Sequence, residues 1–97
     1  MNNQDLFREW YISQINPRTG RNYCEGSATT YITYINRLVR NGLVGENIFD
    51  LDADEFRRLI EKVQKYSMEE FVALDHHGNL TNGIEWWKRF LDAQSNR

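Results

Sequence analysis

Ser27–Gly42, SATTYITYINRLVRNG, carries the clearest helical signal in the chain and decides its fold class. Tyr31, Ile32, Ile35, Leu38 and Val39 recur at the 3.6-residue period, and Ala28 extends their stripe toward the N-terminus. A stripe this broad must be covered by other elements, so the segment reads as the central helix of a bundle. Thr29, Thr30, Thr33, Arg37 and Arg40 fall on the opposite side, a row of hydroxyls ending in two guanidinium groups with no acid among them. Ser27 is placed to cap the first free amides, and Gly42 is the usual left-handed stop, which bounds the predicted helix at about 27–41.

The remaining sequence fits one core. Two independent cores within 97 residues would each approach the size at which small chains need disulfides or metals, so 1–97 is read as a single helical domain. Apolar residues at 40% and aromatics at 13% suffice to fill that core, and the one cysteine, Cys24, has no partner for an internal disulfide. No apolar run approaches the roughly 18 residues of a membrane helix, and MNNQDLFREWY lacks the pattern of a secretory signal. A cytoplasmic protein without a membrane partner is the expectation. The net charge of −2 argues against indiscriminate binding to nucleic acid. The charge is uneven, however: residues 1–45 hold five Arg and three acids, net +2, and residues 46–97 hold seven Lys or Arg and eleven acids, net −4.

Ahead of the central segment, a first helix is predicted over about 4–15, with Leu6, Phe7, Trp10, Tyr11 and Ile15 on its apolar side and Asn3 as its cap. Pro17 disfavours helical geometry in Asn16, and NPRTGRNYCEGS then reads as a flexible loop bearing Arg18 and Arg21. Beyond the central helix, Leu43, Val44, Ile48, Phe49 and Leu51 form an apolar connector expected to plug the core. Asp52 to Glu55 spells a capping box, with Leu51 and Phe56 placed as its staple, and opens a helix over 53–66. Phe56, Leu59, Ile60 and Val63 face inward there; Arg57, Arg58, Glu61, Lys62 and Lys65 face out as a solvated, partly basic row. Ser67 to Glu70 repeats the box, with Tyr66 and Phe71 as staple, opening a short helix over 68–76 that carries Met68, Phe71, Val72 and Leu74. After a turn at Gly78 and Asn79, Thr81 is expected to cap a last helix over 82–94, with Ile84, Trp86, Trp87, Phe90 and Leu91 on its apolar side. No segment alternates with period two for long enough to predict a strand. The expected architecture is all-α, a compact orthogonal bundle of about five helices.

Candidate chemistry is sparse. Asp75, His76 and His77 are ligand types that zinc accepts, but adjacent residues diverge along a backbone and no second cluster completes a site. Cys24 and a histidine are the residue types of a nucleophilic pair, yet no orienting third group is evident. The pairs Glu69–Glu70 and Asp52–Asp54 sit where first-turn acids complement a helix macrodipole. The six glycines are scattered singly, so no phosphate-binding loop is formed. The expectation is a protein that is not an enzyme and needs no metal or cofactor.

Leu6-Phe7-x-x-Trp10-Tyr11, then Ser27-Ala28-Thr29-Thr30-Tyr31-x-x-Tyr34-Ile35-x-x-Leu38, then Ile48-Phe49-Asp50-Leu51-Asp52 and finally Trp86-Trp87-Lys88-Arg89-Phe90-Leu91 follow one another in an order that resembles the N-terminal core-binding domain of tyrosine recombinases and phage integrases. Gly78, Asn79, Trp86 or Trp87, Phe90 and Leu91 also resemble a related helical module attached to some restriction endonucleases. The resemblance implies a SAM-like bundle that clamps one side of double-stranded DNA. It also implies that Ser27, Thr29, Thr30, Thr33, Arg37 and Arg40 contact phosphate or groove. That family's catalytic domain has no counterpart in this sequence, so strand cleavage is not implied.

Two functional readings follow. One is a non-catalytic DNA-binding module of mobile-element or phage type, with Arg18, Arg21, Arg37 and Arg40 positioning phosphates and the hydroxyl row of 27–41 against the duplex. The other is a protein-interaction module or homodimer, motivated by the acidic second half and by Trp86 and Trp87, which cannot both point into one narrow core.

Overall fold

A computed structural model describes residues 2–95. The first helix, α1 (Asn3–Ile12), begins one residue earlier than the sequence predicts, because Asn2 rather than Asn3 caps it through a 2.9 Å bond to the Asp5 amide. Asn3 instead donates its side-chain amide to the carbonyl of Phe49 at 2.8 Å, which ties the start of α1 to the middle of the chain. The helix also ends earlier than the predicted Ile15. The amides of Ser13 and Gln14 turn back onto Trp10 and Tyr11, and the chain then enters a small hairpin of β1 (Ile15–Asn16) and β2 (Arg21–Asn22). Ile15 pairs with Asn22 and Asn16 with Arg21, antiparallel. Each strand has two residues, too short for an alternating pattern to be visible in sequence.

The central helix, α2 (Glu25–Arg40), buries Ala28, Ile32, Ile35 and Leu38, the stripe expected from its period. Cys24, not Ser27, is its N-cap residue; Ser27 lies inside the first turn. At the other end Gly42 takes φ +74°, and the amides of Gly42 and Leu43 bond back to Val39 and Leu38 at 3.0 and 2.9 Å. This is the left-handed termination that glycine allows without steric cost. A 3-10 turn over Glu46–Asp50 then drives Ile48 and Phe49 into the core.

At the start of α3 (Ala53–Tyr66) both bonds of the capping box are present: the Glu55 amide to Asp52 at 2.8 Å and the Asp52 amide to Glu55 at 3.3 Å. The second predicted box does not form. Ser67 makes no side-chain bond to α4 (Met68–Leu74), and Phe71 alone of that helix is fully buried. With only two turns to pack, α4 leaves Met68 and Val72 outside, and Tyr66 is exposed rather than stapled to Phe71.

The last helix, α5 (Asn79–Ser95), starts three residues before the predicted position 82. Thr81 is not its cap. The carboxylate of Asp75 accepts from the amides of Leu80 and Thr81 at 2.8 and 3.1 Å and from the Thr81 hydroxyl at 2.6 Å, doing from outside the helix what a cap residue does. His77, in the preceding 3-10 turn (His76–Gly78), is held at φ +54°, where non-glycine residues are strained. At its far end α5 runs to Ser95, one residue past the predicted 94; residues 96–97 lie outside the described residues.

The described residues thus form an all-α bundle of five α-helices around one core, with α2 and α5 in the most extensive contact. At the centre, Trp87 meets Phe7 at 5.0 Å, Phe90 at 5.2 Å and Phe49 at 5.3 Å between ring centroids. Its indole N–H is buried and has no hydrogen-bond partner among the described residues. An unpaired donor costs about 1–3 kcal/mol, whereas burying ~200 Å² of indole stabilises by roughly 5 kcal/mol. The apolar gain therefore dominates.

Candidate nucleic-acid interface

The segment carrying Arg18 and Arg21, read from sequence as a loop, forms a hairpin closed by its own polar groups. The Arg18 amide donates to the Asn16 side chain at 2.9 Å, Gly20 to the Asn16 carbonyl at 2.8 Å and Arg21 to the Thr19 hydroxyl at 3.2 Å. Asn16 and Thr19 thus supply the local bonds that close such turns. The hairpin is anchored to the body by the Asn22 side chain on the Ile12 carbonyl at 2.8 Å and by the Tyr23 amide on Gln14 at 3.1 Å. Tyr23 then packs against Tyr11 and Trp86, with centroids 4.9 and 5.0 Å away. Both arginines are exposed on this hairpin.

Along α2, Thr29, Thr30, Thr33 and Arg40 are exposed, and Ser27 and Arg37 are half-buried. Arg37 lies 4.2 Å over the ring of Tyr34, a stacking that preorganises its guanidinium. None of Arg18, Arg21, Arg37 and Arg40 forms an ion pair with an acidic group among the described residues. Arg37 and Arg40 also complement the negative end of the helix macrodipole, a local reason for their position that needs no ligand.

Three features narrow the face drawn from sequence. Helix α2 begins at Glu25, four residues before Thr29, so a carboxylate shares the N-terminal end of the hydroxyl row. Thr30 donates its hydroxyl proton to the Gly26 carbonyl at 3.0 Å and Thr33 donates to Thr29 at 2.9 Å. In these rotamers both hydroxyls turn acceptor lone pairs outward, and a phosphate oxygen needs a donor. Finally, the arginines belong to two elements. Arg18 and Arg21 lie on the hairpin before the first turn of α2, whereas Arg37 and Arg40 occupy its last turn.

Sequence reasoning missed several polar contacts elsewhere. Arg57 leaves the basic row of α3 to make a two-pronged bond with Asp92 of α5 at 3.0 and 2.7 Å. That bond lowers the Asp92 pKa and raises that of Arg57. The Glu55 amide holds Asp52 below the usual carboxylate range. Arg89 stacks 4.7 Å over Trp86, and Trp86 itself is wedged edge-on against Tyr11 and Tyr23. With Trp87 fully buried, the tryptophan pair belongs to the core and its rim rather than to a free surface.

The Cys24 thiol is exposed and lies 3.3 Å from the Ser27 hydroxyl, whose hydrogen bond lowers its pKa. Burial, with Tyr31 beside it, pushes the Tyr11 phenol well above its ordinary value, so Tyr11 serves as a neutral core residue. His76 and His77 are exposed, while Asp75 is engaged by the start of α5. Among the described residues no three His, Cys, Asp or Glu side chains converge in a metal-binding group, and no helix is long and apolar enough to cross a membrane. Comparison with known proteins finds no family model, no curated protein and no solved structure that matches this chain.

Proposed function

We propose that this chain is a non-catalytic module that binds double-stranded DNA through α2 and the hairpin before it. One observation carries the reading: two arginines on the hairpin and two in the last turn of α2 have no acidic partner among the described residues. In this reading each arginine reaches a phosphate bordering a major groove about 12 Å wide. Along the same face the methyl groups of Thr30 and Thr33 would lie over the groove, giving apolar contact in place of donated hydrogen bonds. The resemblance to the core-binding domain of tyrosine recombinases supports the same use of this helix.

Fluorescence anisotropy of a labelled duplex, titrated at two salt concentrations, tests the proposal. Four phosphate contacts predict a logarithmic salt slope of about −3.6, which is a loss of roughly 100-fold in affinity between about 50 and 200 mM salt. Arg37→Ala with Arg40→Ala removes two contacts and halves the slope, leaving a loss of about 10-fold. Undetectable binding at the lower salt, or an unchanged slope in the double variant, rejects the interface.

A further inference from the structure

The corner where α3 meets α4 exposes more large apolar side chains than the fold can account for. Tyr66, Met68 and Val72 are 71%, 50% and 61% exposed, and they lie within seven residues of one another. The flanking charges have a local rationale: Glu69 and Glu70 sit in the first turn of α4 and Lys65 in the last turn of α3, where the helix macrodipoles favour them. Of the three apolar groups only Tyr66 has a local partner, the Lys65 ammonium 5.3 Å from its ring centroid; Met68 and Val72 have none. Leu43 sits beneath this corner between two shallow clefts, one bordered by Lys62 and Tyr66, the other by Glu70 and Leu74.

The order of charge identifies the occupant. Cations Lys62 and Lys65 lie on one side of Ser67 and carboxylates Glu69 and Glu70 on the other, all four exposed and outside any ion pair among the described residues. A partner of uniform charge would be repelled by one side or the other. A surface with the reverse order fits both sides, and a two-fold axis through Ser67 makes a second copy of this chain that surface: the lysines of each copy meet the glutamates of the other over a shared apolar centre. We infer that the chain forms a two-fold dimer through the α3–α4 corner. This inference is independent of the nucleic-acid reading, because the corner includes none of the residues proposed to touch DNA.

Multi-angle light scattering over a concentration series up to about 1 mM tests it. The wild-type mass should rise from 11.6 kDa toward twice that value. Lys62→Glu with Lys65→Glu removes both of these cations from the α3 side, and Glu69→Lys with Glu70→Lys removes both carboxylates from the α4 side. Each double variant alone should dimerise at least about tenfold more weakly, and an equimolar mixture of the two should pair again. Adding Met68→Ser and Val72→Ser to both partners should abolish that pairing, which separates a seated interface from mere attraction of opposite charges. All substituted positions are exposed, and circular dichroism checks that each variant keeps its helices. A wild-type protein that stays at 11.6 kDa throughout overturns the inference, as does a dimer unaffected by either charge reversal.

Discussion

Cys24 illustrates how much of a residue's chemistry lies in its neighbours. In sequence it is a lone thiol; at the start of α2 it receives the Ser27 hydroxyl and nearby backbone amides, which favour the thiolate. The rate of alkylation by iodoacetamide should therefore rise at lower pH than for an ordinary cysteine, and Ser27→Ala should shift the profile upward. Superimposable pH profiles for the two proteins would show that the hydroxyl has no hold on the thiol. The same contact explains why Ser27 is not the cap that its residue type suggests. Helix α2 starts two residues before it, and its hydroxyl faces the sulfur of the cap residue instead.

At the scale of elements, the bundle depends on how closely α2 and α5 approach. A Cβ placed on Gly83 would stand 3.1 Å from the Tyr31 Cβ, 3.2 Å from its carbonyl oxygen and 3.3 Å from its Cα, so the obstacle is mostly backbone. Gly83→Val should destabilise the fold by about 1–3 kcal/mol through overpacking. Gly83→Ala should cost less, because alanine regains about 1 kcal/mol of helix propensity that offsets part of the strain. Urea denaturation of the two variants decides it, and a valine variant as stable as wild type would mean that the helices can part freely. Gly83 is unremarkable in sequence, since nothing local distinguishes a glycine at a helix crossing from one that merely weakens a helix. The corner at Tyr66, Met68 and Val72 is the converse case. Its residue types promise burial, and only the short length and placement of α4 leave them outside.

For the molecule as a whole, one helix cap and one ion pair between distant elements shape the response to acid. The Asp52 and Asp92 carboxylates titrate below the ordinary aspartate value of 3.8, Asp52 through the Glu55 amide and Asp92 through Arg57. The unfolded chain then binds protons at higher pH than the folded one. Their stabilisation is thus fully present above the ordinary value and is lost as pH falls through the lowered ones. Thermal midpoints measured from about pH 6 to about pH 2 should fall on the acid side. A variant carrying Asp52→Asn and Asp92→Asn should start lower and lose less over that range. Parallel curves for the two proteins would mean that other carboxylates govern the acid limb. Arg57 and Asp92 are 35 residues apart, and their pairing ties α3 to α5 within the acidic second half.

The sequence by itself determined the helices, because the periodic burial of Ala28, Ile32, Ile35 and Leu38, the capping box at Asp52 and Glu55, and the glycine stop at Gly42 are local matters of backbone geometry and hydrogen bonding. It also marked the outer face of α2, since residues opposite a buried stripe must face solvent. It missed the hairpin at Pro17 to Gly20, because a ladder of two residues per strand leaves no repeating pattern. Only the tertiary structure decided that Asp75 starts α5, that Arg57 turns to Asp92 and that α2 and α5 come close at Gly83 and Tyr31. Each of these depends on distances between groups whose positions are fixed by packing, and periodicity carries no information about such distances.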